Sequence, residues 1–153
     1  MKTNEIRNHW TDWARTYGEH LNATTKTPTI KALEIDAFVR AIGKVAGGKD
    51  VHFTALEAGC GNGLNCMALA DAFPNASFDG VDYIPEMVVA AKAANAKRVH
   101  SEKLRFYTGN VLDLPATKDL LTSYDIVFTD RCLINLNTVD LQMQAISFLT
   151  ERV

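Results

Sequence analysis

Residues 53–63, FTALEAGCGNG, form an apolar run that breaks into closely spaced glycines. Residues 53–58 predict a buried strand, and residues 62–73, NGLNCMALADAF, predict a helix with an apolar stripe. Glycine permits a tight turn between the two and leaves room for a ligand where a Cβ would collide. A strand, a glycine turn and a helix N-terminus together predict a site for a polar or anionic group.

Two nucleotide-binding loops fit such a pattern. The dinucleotide fingerprint G-x-G-x-x-G would place its third glycine at position 64, where this chain has Leu64. Residues 57–63 instead have the form E-x-G-x-G-x-G, which resembles the first motif of the class I S-adenosylmethionine-dependent methyltransferases. The resemblance implies that the cofactor contacts Glu57, Gly59, Cys60, Gly61 and Gly63.

Residues 77–83, SFDGVDY, predict a second strand ending near Asp82. A Rossmann-like fold holds a ribose at this place, because a carboxylate accepts hydrogen bonds from both hydroxyls. Asp82 follows Gly59 by 23 positions, which fits one strand–helix–strand unit. An acid that only caps the next helix is the alternative. We assign the adjacent Tyr83 and Ile84 to the same cofactor site.

Residues 104–108 predict a third strand, which leads into GNVLDLP at 109–115. This string resembles the methyltransferase motif G-D-V-x-x-L-P, with Asn110 where aspartate is more common. The resemblance implies that the Asn110 side chain accepts from the adenine amino group and that the backbone N–H of Val111 meets a ring nitrogen. An amide oxygen can still accept that hydrogen bond.

Residues 124–130, YDIVFTD, predict a fourth strand with a polar tip. In the family that it resembles, this tip lies near the methionine group and the transferred methyl. The resemblance therefore implies that Asp130 contacts the cofactor, and that Asp130 and Arg131 orient or deprotonate the acceptor. No histidine is placed as a base, and no metal site is indicated.

Two helices are predicted before the first strand. Residues 4–21 carry an amphipathic aromatic stripe, W-x-x-W-A-x-x-Y-G, similar to the N-terminal lid helix of many small methyltransferases. In those enzymes an aromatic residue closes over the cofactor, a role that would fall to Tyr17; ordinary core packing is the alternative. A second helix begins after Thr27, a predicted N-cap, and its predicted inward residues are Ile30, Leu33, Ala37 and Ile42.

These elements predict one α/β domain over residues 1–153, with lid helices in 1–45 and a Rossmann-like core in 51–153. The expected sheet is parallel and doubly wound, with strand order 3-2-1-4. Family members continue with strands 5–7, so the chain resembles the cofactor-binding part of a longer domain. The fourth strand then has an open edge. We expect a homo-oligomer built on this edge and on a last helix at 139–153, with Leu141, Ile146 and Leu149 partly bare.

Composition narrows the function. The 153 residues are 47% hydrophobic with a formal charge of −2, which predicts a soluble cytoplasmic domain and no general attraction to nucleic acid. No apolar run approaches the roughly 20 residues that span a bilayer, and the N-terminus lacks the apolar core of a signal peptide. The three cysteines, Cys60, Cys66 and Cys132, have no metal-binding spacing and indicate small buried thiols.

The function that this resemblance implies is methyl transfer from S-adenosylmethionine, with S-adenosylhomocysteine as product. The fourth strand lacks the [DNS]-P-P-[YF] string of enzymes that methylate exocyclic amines of bases or glutamine, and no Pro-Cys nucleophile is present. A small molecule or a saccharide is therefore the expected acceptor. One alternative is a non-catalytic S-adenosylmethionine-binding subunit that needs a partner chain. A nicotinamide oxidoreductase is the other, and Leu64 argues against it.

Overall fold

The computed structural model describes residues 3–153, and its elements follow the predicted order. Two helices precede the sheet, α1 (Thr3–Tyr17) and α2 (Pro28–Ala46). The remaining elements are β1 (Thr54–Ala58), α3 (Leu64–Ala72), β2 (Ser77–Asp82), α4 (Pro85–Asn95), β3 (Leu104–Thr108), β4 (Ile126–Thr129) and α5 (Val139–Thr150). Short 3-10 turns span Leu21–Ala23, Ser101–Lys103, Val111–Ala116 and Leu133–Asn135.

The four strands form one parallel sheet with the order β3-β2-β1-β4, which confirms the predicted topology. The chain runs outward from β1 to β3 and then crosses back to place β4 on the other side of β1. The direction of winding therefore reverses between β1 and β4, and a crevice forms at the carboxyl ends of these strands. Within the described residues β4 pairs only with β1, so its other edge is open.

Successive residues of β1 serve opposite faces of the sheet, as a strand requires. Ala55 packs in the core under α2, α3 and α4, whereas Leu56 and Ala58 pack in the core under α5 and the turn Val111–Ala116. Helices thus cover both faces, which explains why the middle strands are apolar almost throughout. Among residues 3–153, none of the helices combines the length and the apolar character that a membrane span requires.

Helix α2 buries a different face from the predicted one. Ile42 is buried as expected, but Ile30 and Leu33 are 49% and 63% exposed, and Ala37 is also exposed. The buried residue of the first turn is Lys31. The apolar pattern predicted the wrong face because partners far along the chain satisfy this lysine. Thr27 occupies the N-cap position but makes no capping hydrogen bond.

Helix α4 ends at Asn95, whose side-chain amide donates to the carbonyls of Ser101 and Leu104, at 2.9 and 3.1 Å, and closes the turn into β3. One further local prediction differs from the structure. In α5, Leu149 is buried rather than bare, since it joins the core beneath the helix. Ile146 is exposed and Leu141 half-buried, as predicted.

Candidate functional site

A cavity of about 310 Å³ opens at the carboxyl ends of the strands, beside the crevice between β1 and β4. The glycine loop forms its floor, and residues that follow β2, β3 and β4 form three of its sides. Helices α1 and α2 add a wall from outside the sheet. The predicted cofactor residues that line the cavity are Glu57, Gly59, Cys60, Gly61, Asp82, Tyr83, Ile84, Asn110, Val111 and Asp130.

Backbone conformation explains the glycines of the loop. Gly59, Gly61 and Gly63 all have positive φ, at 75°, 54° and 80°. A Cβ on Gly61 would lie 2.7 Å from Cγ2 of Thr24, and one on Gly59 would lie 2.5 Å from Cβ of Cys132. The loop therefore needs glycine because other parts of the protein pack against it, and not only for the approach of a ligand as the sequence suggested. Gly63 itself does not line the cavity; a Cβ there would meet Phe106.

Asn62 fastens this loop to the N-terminal segment. Its side-chain amide donates to the carbonyls of Gly18 and His20, at 3.0 Å each. The residue is 1% exposed, and its Oδ1 has no hydrogen-bond partner among the described residues. Because Asn62 lines the cavity, this oxygen is a buried acceptor that a ligand can satisfy.

Asp82 receives one backbone hydrogen bond on each carboxylate oxygen. The N–H of Gly61 donates to Oδ2 at 2.8 Å, and the N–H of Ile84 donates to Oδ1 at 2.9 Å. Burial raises the pKa of this carboxyl, although the two hydrogen bonds lower it. A carboxylate has about four acceptor positions, so both oxygens can accept again.

Asn110 caps the turn Val111–Ala116, because its Oδ1 accepts from the N–H of Leu112 at 3.0 Å. An amide oxygen has two lone pairs, and one of them remains for a ligand. Asn110 and Val111 lie together on the side of the cavity that follows β3. This placement agrees with the predicted adenine contacts, which stay a prediction.

Buried polar groups meet where β1 and β4 end. Asn65, on α3, donates to Oε1 of Glu57 at 2.7 Å and to Oδ2 of Asp130 at 3.0 Å. Lys31, on α2, places its Nζ 3.0 Å from Oδ2 of Asp130 and 2.8 Å from Oε2 of Glu34. We call Lys31, Glu34, Glu57, Asn65 and Asp130 the floor cluster.

The two carboxyl groups of the floor cluster that line the cavity differ in acidity. Burial raises the pKa of Glu57 to about 7, against hydrogen bonds from Cys66 and Asn65 that lower it. At Asp130 burial acts in the same direction, but hydrogen bonds from Asn65 and Lys31 and the charges of Lys31 and Arg131 outweigh it, so the pKa is lowered. Near neutral pH, Asp130 is therefore an anion, whereas Glu57 is poised to take or release a proton.

Arg131 follows Asp130 in a left-handed conformation, with φ at 56°. Its guanidinium lies 3.2 Å from Oε2 of Glu34 and 3.6 Å from Oδ1 of Asp130. Such a backbone in a residue other than glycine costs about 1–3 kcal/mol and is common at functional sites. The chain accepts this strain where it turns from β4 into the cavity wall.

Trp10, and not Tyr17, is the aromatic residue of α1 that lines the cavity. Its indole N–H donates to Oδ1 of Asn135 at 3.2 Å and so connects α1 to the turn that follows β4. Tyr17, two turns of helix after Trp10, packs against Trp13 and the small core around Ala14. Sequence reasoning could not separate the two aromatics, because both belong to the same stripe.

Sequence reasoning also missed three polar residues of the site. Lys31 is not among the predicted inward residues of its helix, and neither Asn65 on the predicted apolar helix nor Asn135 after the fourth strand is among the predicted site residues. The available signal was a polar residue inside each otherwise apolar segment. Its partner in every case lies between 8 and 125 positions away in the chain.

Comparison with known proteins places the chain among related sequences. A family model described as a methyltransferase domain matches residues 49–151, from just before β1 to the end of α5. Helices α1 and α2, which form one wall of the cavity, precede the matched residues. The search of curated proteins found no match.

Solved structures share the fold at low identity. One is the S-adenosylmethionine-bound CalS10, an amino pentose methyltransferase from Micromonospora echinaspora, with 21% identity, a TM-score of 0.61 and coverage of 78% of this chain and 45% of that chain. The CcbJ methyltransferase from Streptomyces caelestis has 22% identity, a TM-score of 0.62 and coverages of 76% and 45%. The [4+2]-cyclase SpnF has 18% identity, a TM-score of 0.59 and coverages of 74% and 40%. The chain spans less than half the length of each, and the named activities differ between them.

Proposed function

Since this chain belongs to the methyltransferase-domain family, whose model matches residues 49–151, we propose that it binds S-adenosylmethionine and transfers the methyl group to a small-molecule or saccharide acceptor. The observation that carries the proposal is the arrangement of acceptors around one cavity. Asp82 is the last residue of β2, Asn110 follows β3 and Asp130 follows β4. A nucleoside with a charged tail needs such acceptors, spread along the ends of neighbouring strands.

The residues present fit this cofactor. Asp82 retains acceptor capacity for two ribose hydroxyls, and Asn110 retains one lone pair for an exocyclic amino group. Asn62, whose buried Oδ1 has no hydrogen-bond partner among the described residues, lines the same cavity. Tyr83 and Ile84 supply an apolar side next to Asp82, with Tyr83 44% exposed and Ile84 buried.

When bound, S-adenosylmethionine supplies an electrophilic methyl on a sulfonium. The protein then has to hold the acceptor in line with this methyl and exclude water. Asp130 and Arg131 orient the acceptor from the tip of β4. Trp10 and Ile134 cover the cavity from α1 and from the turn after β4.

The proton that leaves the acceptor needs a base when the acceptor is a hydroxyl. Asp130 is a weak base, because its pKa is lowered by Asn65, Lys31 and Arg131 against the effect of burial. Among the cavity residues Glu57 has the more suitable pKa, raised by burial to about 7. Asp130 therefore orients the acceptor and does not deprotonate it.

Calorimetric titration tests the proposal. We expect S-adenosylhomocysteine to bind with measurable heat and NAD not to bind. Asp82→Ala should weaken S-adenosylhomocysteine binding by about 1.5–3 kcal/mol, the value of a hydrogen bond to a charged group. The matched control is Asp113→Ala, which removes an exposed acid from the turn after β3 that does not line this cavity. Binding of NAD alone, or equal affinity in wild type and Asp82→Ala, would contradict it.

A binding subunit without turnover is the second candidate, and the open edge of β4 favours it. We propose that two copies of the chain meet at this edge and along α5. Val139, Met143 and Ile146 are exposed on one stripe of α5, at 71%, 59% and 39%. Light scattering should show a dimer that Met143→Lys converts to monomer, whereas Gln144→Lys, off the stripe, should not. A monodisperse wild-type monomer at high concentration contradicts the assembly and leaves the cofactor proposal untouched.

A further inference from the structure

Lys31 has an unusual position for a lysine in the wall of a cavity. It is 5% exposed, and its Nζ lies 3.2 Å from Oδ1 of Asn65, 3.0 Å from Oδ2 of Asp130 and 2.8 Å from Oε2 of Glu34. An ammonium group has three N–H donors, and these three oxygens use all of them. Lys31 therefore has no donor left for a ligand and acts only through its partners.

Asp130 is the partner that meets the cavity. Its Oδ2 accepts from both Lys31 and Asn65, which fixes the carboxylate in one orientation. Among the described residues, its Oδ1 has only the 3.6 Å contact with Nε of Arg131, which is longer than a hydrogen bond. The side chain is 11% exposed and lines the cavity. The arrangement presents one immobilised carboxylate oxygen with free lone pairs to a ligand.

A purely structural role for the floor cluster would be to attach α2 to the sheet. Apolar contacts already do this, since Ile42 lies in the core and Phe38 packs against Phe128 with ring centroids 5.1 Å apart. Buried ion pairs are a poor way to gain stability, because desolvation offsets much of the attraction. The desolvation cost of burying these charges is accounted for if the cluster serves to hold Asp130 as a fixed anion at the cavity.

We propose that Lys31 is a positioning residue that holds Asp130 as a fixed anion, and that this anion makes the cavity selective for acceptors with an amine nitrogen. The inference rests on the proposed methyl transfer and names the acceptor class for that site. A carboxylate acceptor meets repulsion from Asp130. A hydroxyl can donate to Asp130 but cannot lose its proton to so weak a base, so its transfer would depend on Glu57 as the base.

An amine satisfies both conditions. The amine binds as an ammonium, whose N–H donates to Oδ1 of Asp130 in an ion pair. It then releases one proton to solvent, which frees the lone pair for attack without a base on the protein. In the transfer, the nitrogen lone pair forms the N–C bond, and the C–S bond breaks with its electron pair remaining on sulfur. The positive charge moves from sulfur to the methylated nitrogen, which then releases a proton to solvent. Asp130 stabilises this developing charge at a short distance.

The test uses the full chain saturated with S-adenosylhomocysteine and three pyranoses of the same size. Glucosamine carries an amine, glucose a hydroxyl and glucuronate a carboxylate. We expect glucosamine to bind about tenfold or more tightly than glucose in protein-observed NMR titrations, because its ammonium forms an ion pair with Asp130 whereas the hydroxyl of glucose forms only a hydrogen bond. Asp130→Asn should abolish this preference. The control Asp36→Asn, which removes an exposed acid of helix α2, should retain it.

A separate measurement tests Lys31 itself. Carboxyl-carbon NMR should show that Lys31→Met raises the pKa of Asp130, since a hydrogen bond and a positive charge that lower it are lost, and that Lys31→Arg restores it. Lys31→Met should also lose the preference for glucosamine. If Lys31→Met does not fold, Asp130→Asn, which keeps the size and shape of that side chain, decides whether the anion sets the preference.

Three outcomes overturn the inference. The first is that glucose or glucuronate binds as well as glucosamine, and the second is that glucosamine does not bind at all. The third is a Lys31→Met variant with unchanged Asp130 pKa and unchanged preference. Failure of S-adenosylhomocysteine to bind would overturn the proposed function instead, so the two results can be distinguished.

Discussion

The sheet carries two groups of buried charge, one at the cavity and one away from it. In the second group, which we call the Asp79 cluster, Arg105 donates to both oxygens of Asp79 at 2.8 and 3.0 Å, and the hydroxyl of Tyr124 donates to Oδ2 at 2.7 Å. None of these three residues lines the cavity. In the floor cluster, by contrast, Glu57 has a raised pKa and Asp130 a lowered one. Both carboxyl groups accept from the side-chain amide of Asn65, and both residues line the cavity.

The two clusters differ in how much hydrogen-bonding capacity they leave unused. Asp79 is fully buried and accepts two hydrogen bonds from the guanidinium of Arg105. Its carboxylate shifts the pKa values of the two side chains that donate to it. A hydrogen bond to Asp79 raises the pKa of Arg105, and burial together with the bond to Asp79 raises that of Tyr124. Such a cluster joins β2, β3 and the start of β4. The floor cluster keeps unused acceptor capacity, which is useful only when something binds.

The largest expected effect is on stability, from Asp79→Ala. Loss of a buried carboxylate leaves Arg105 and Tyr124 without their partner and should lower the free energy of unfolding by about 3–5 kcal/mol in urea titrations. Affinity of the folded variant for S-adenosylhomocysteine should not change. Asp36→Ala, which removes an exposed pair with Arg40, should cost less than about 1 kcal/mol. A changed affinity of Asp79→Ala for S-adenosylhomocysteine would show that the Asp79 cluster contributes to binding as well as to stability.

Glu57→Gln tests the floor cluster through pH. Between about pH 4.5 and 7 the native state keeps a proton on Glu57 that the unfolded state has lost, so the free energy of unfolding falls as pH rises, by a total of about 3 kcal/mol. Gln mimics the protonated acid and should remove this slope. Chemical unfolding at a series of pH values measures it, with the exposed Glu102→Gln as control. Parallel curves for wild type and Glu57→Gln would show that Glu57 titrates normally.

Gly61→Ala tests the packing of the glycine loop. The alanine would have to adopt a left-handed backbone conformation, and its Cβ would also collide with Thr24. We therefore expect a stability loss about 2 kcal/mol larger than that of Gly18→Ala. Gly18 has a similar φ of 51°, but its Cβ would have no neighbour within 4 Å. Thr24→Ser removes the colliding methyl and should rescue Gly61→Ala in thermal unfolding. Equal stability losses for Gly61→Ala and Gly18→Ala would mean that backbone strain alone, and not packing against Thr24, causes the loss.

The smallest expected effect is at the cavity mouth. Trp10→Phe removes the hydrogen bond to Asn135 and should cost about 1 kcal/mol, seen as faster amide exchange in residues 5–17. Trp13→Phe is the matched control, since Trp13 packs on His9 and Tyr17 and does not line the cavity. S-adenosylhomocysteine should change the fluorescence of Trp10 in the Trp13→Phe background. An unchanged signal at saturation would remove Trp10 from the site.

The fold was predictable because its signals are local. The glycine turn after β1 and the acid at the end of β2 each follow from a short stretch of sequence, and the strand order is what the family resemblance of these motifs implies. The wall of the cavity was not predictable in the same way. Lys31 looks like a solvent residue until Asp130, 99 positions later, is placed beside it. Trp10 and Tyr17 share one stripe, and only the position of Asn135 shows which of them faces the cavity.

Trp10 and Asn135 are 125 positions apart in sequence, and Lys31 and Asp130 are 99 apart. Contacts of such separation form late, because a long loop must close before they contribute. During synthesis the cavity cannot close until residue 135 has left the ribosome. In refolding experiments, the helical circular dichroism signal should therefore return before Trp10 reports its native environment. The protein then becomes able to bind a ligand only late in folding, after these long-range contacts have formed.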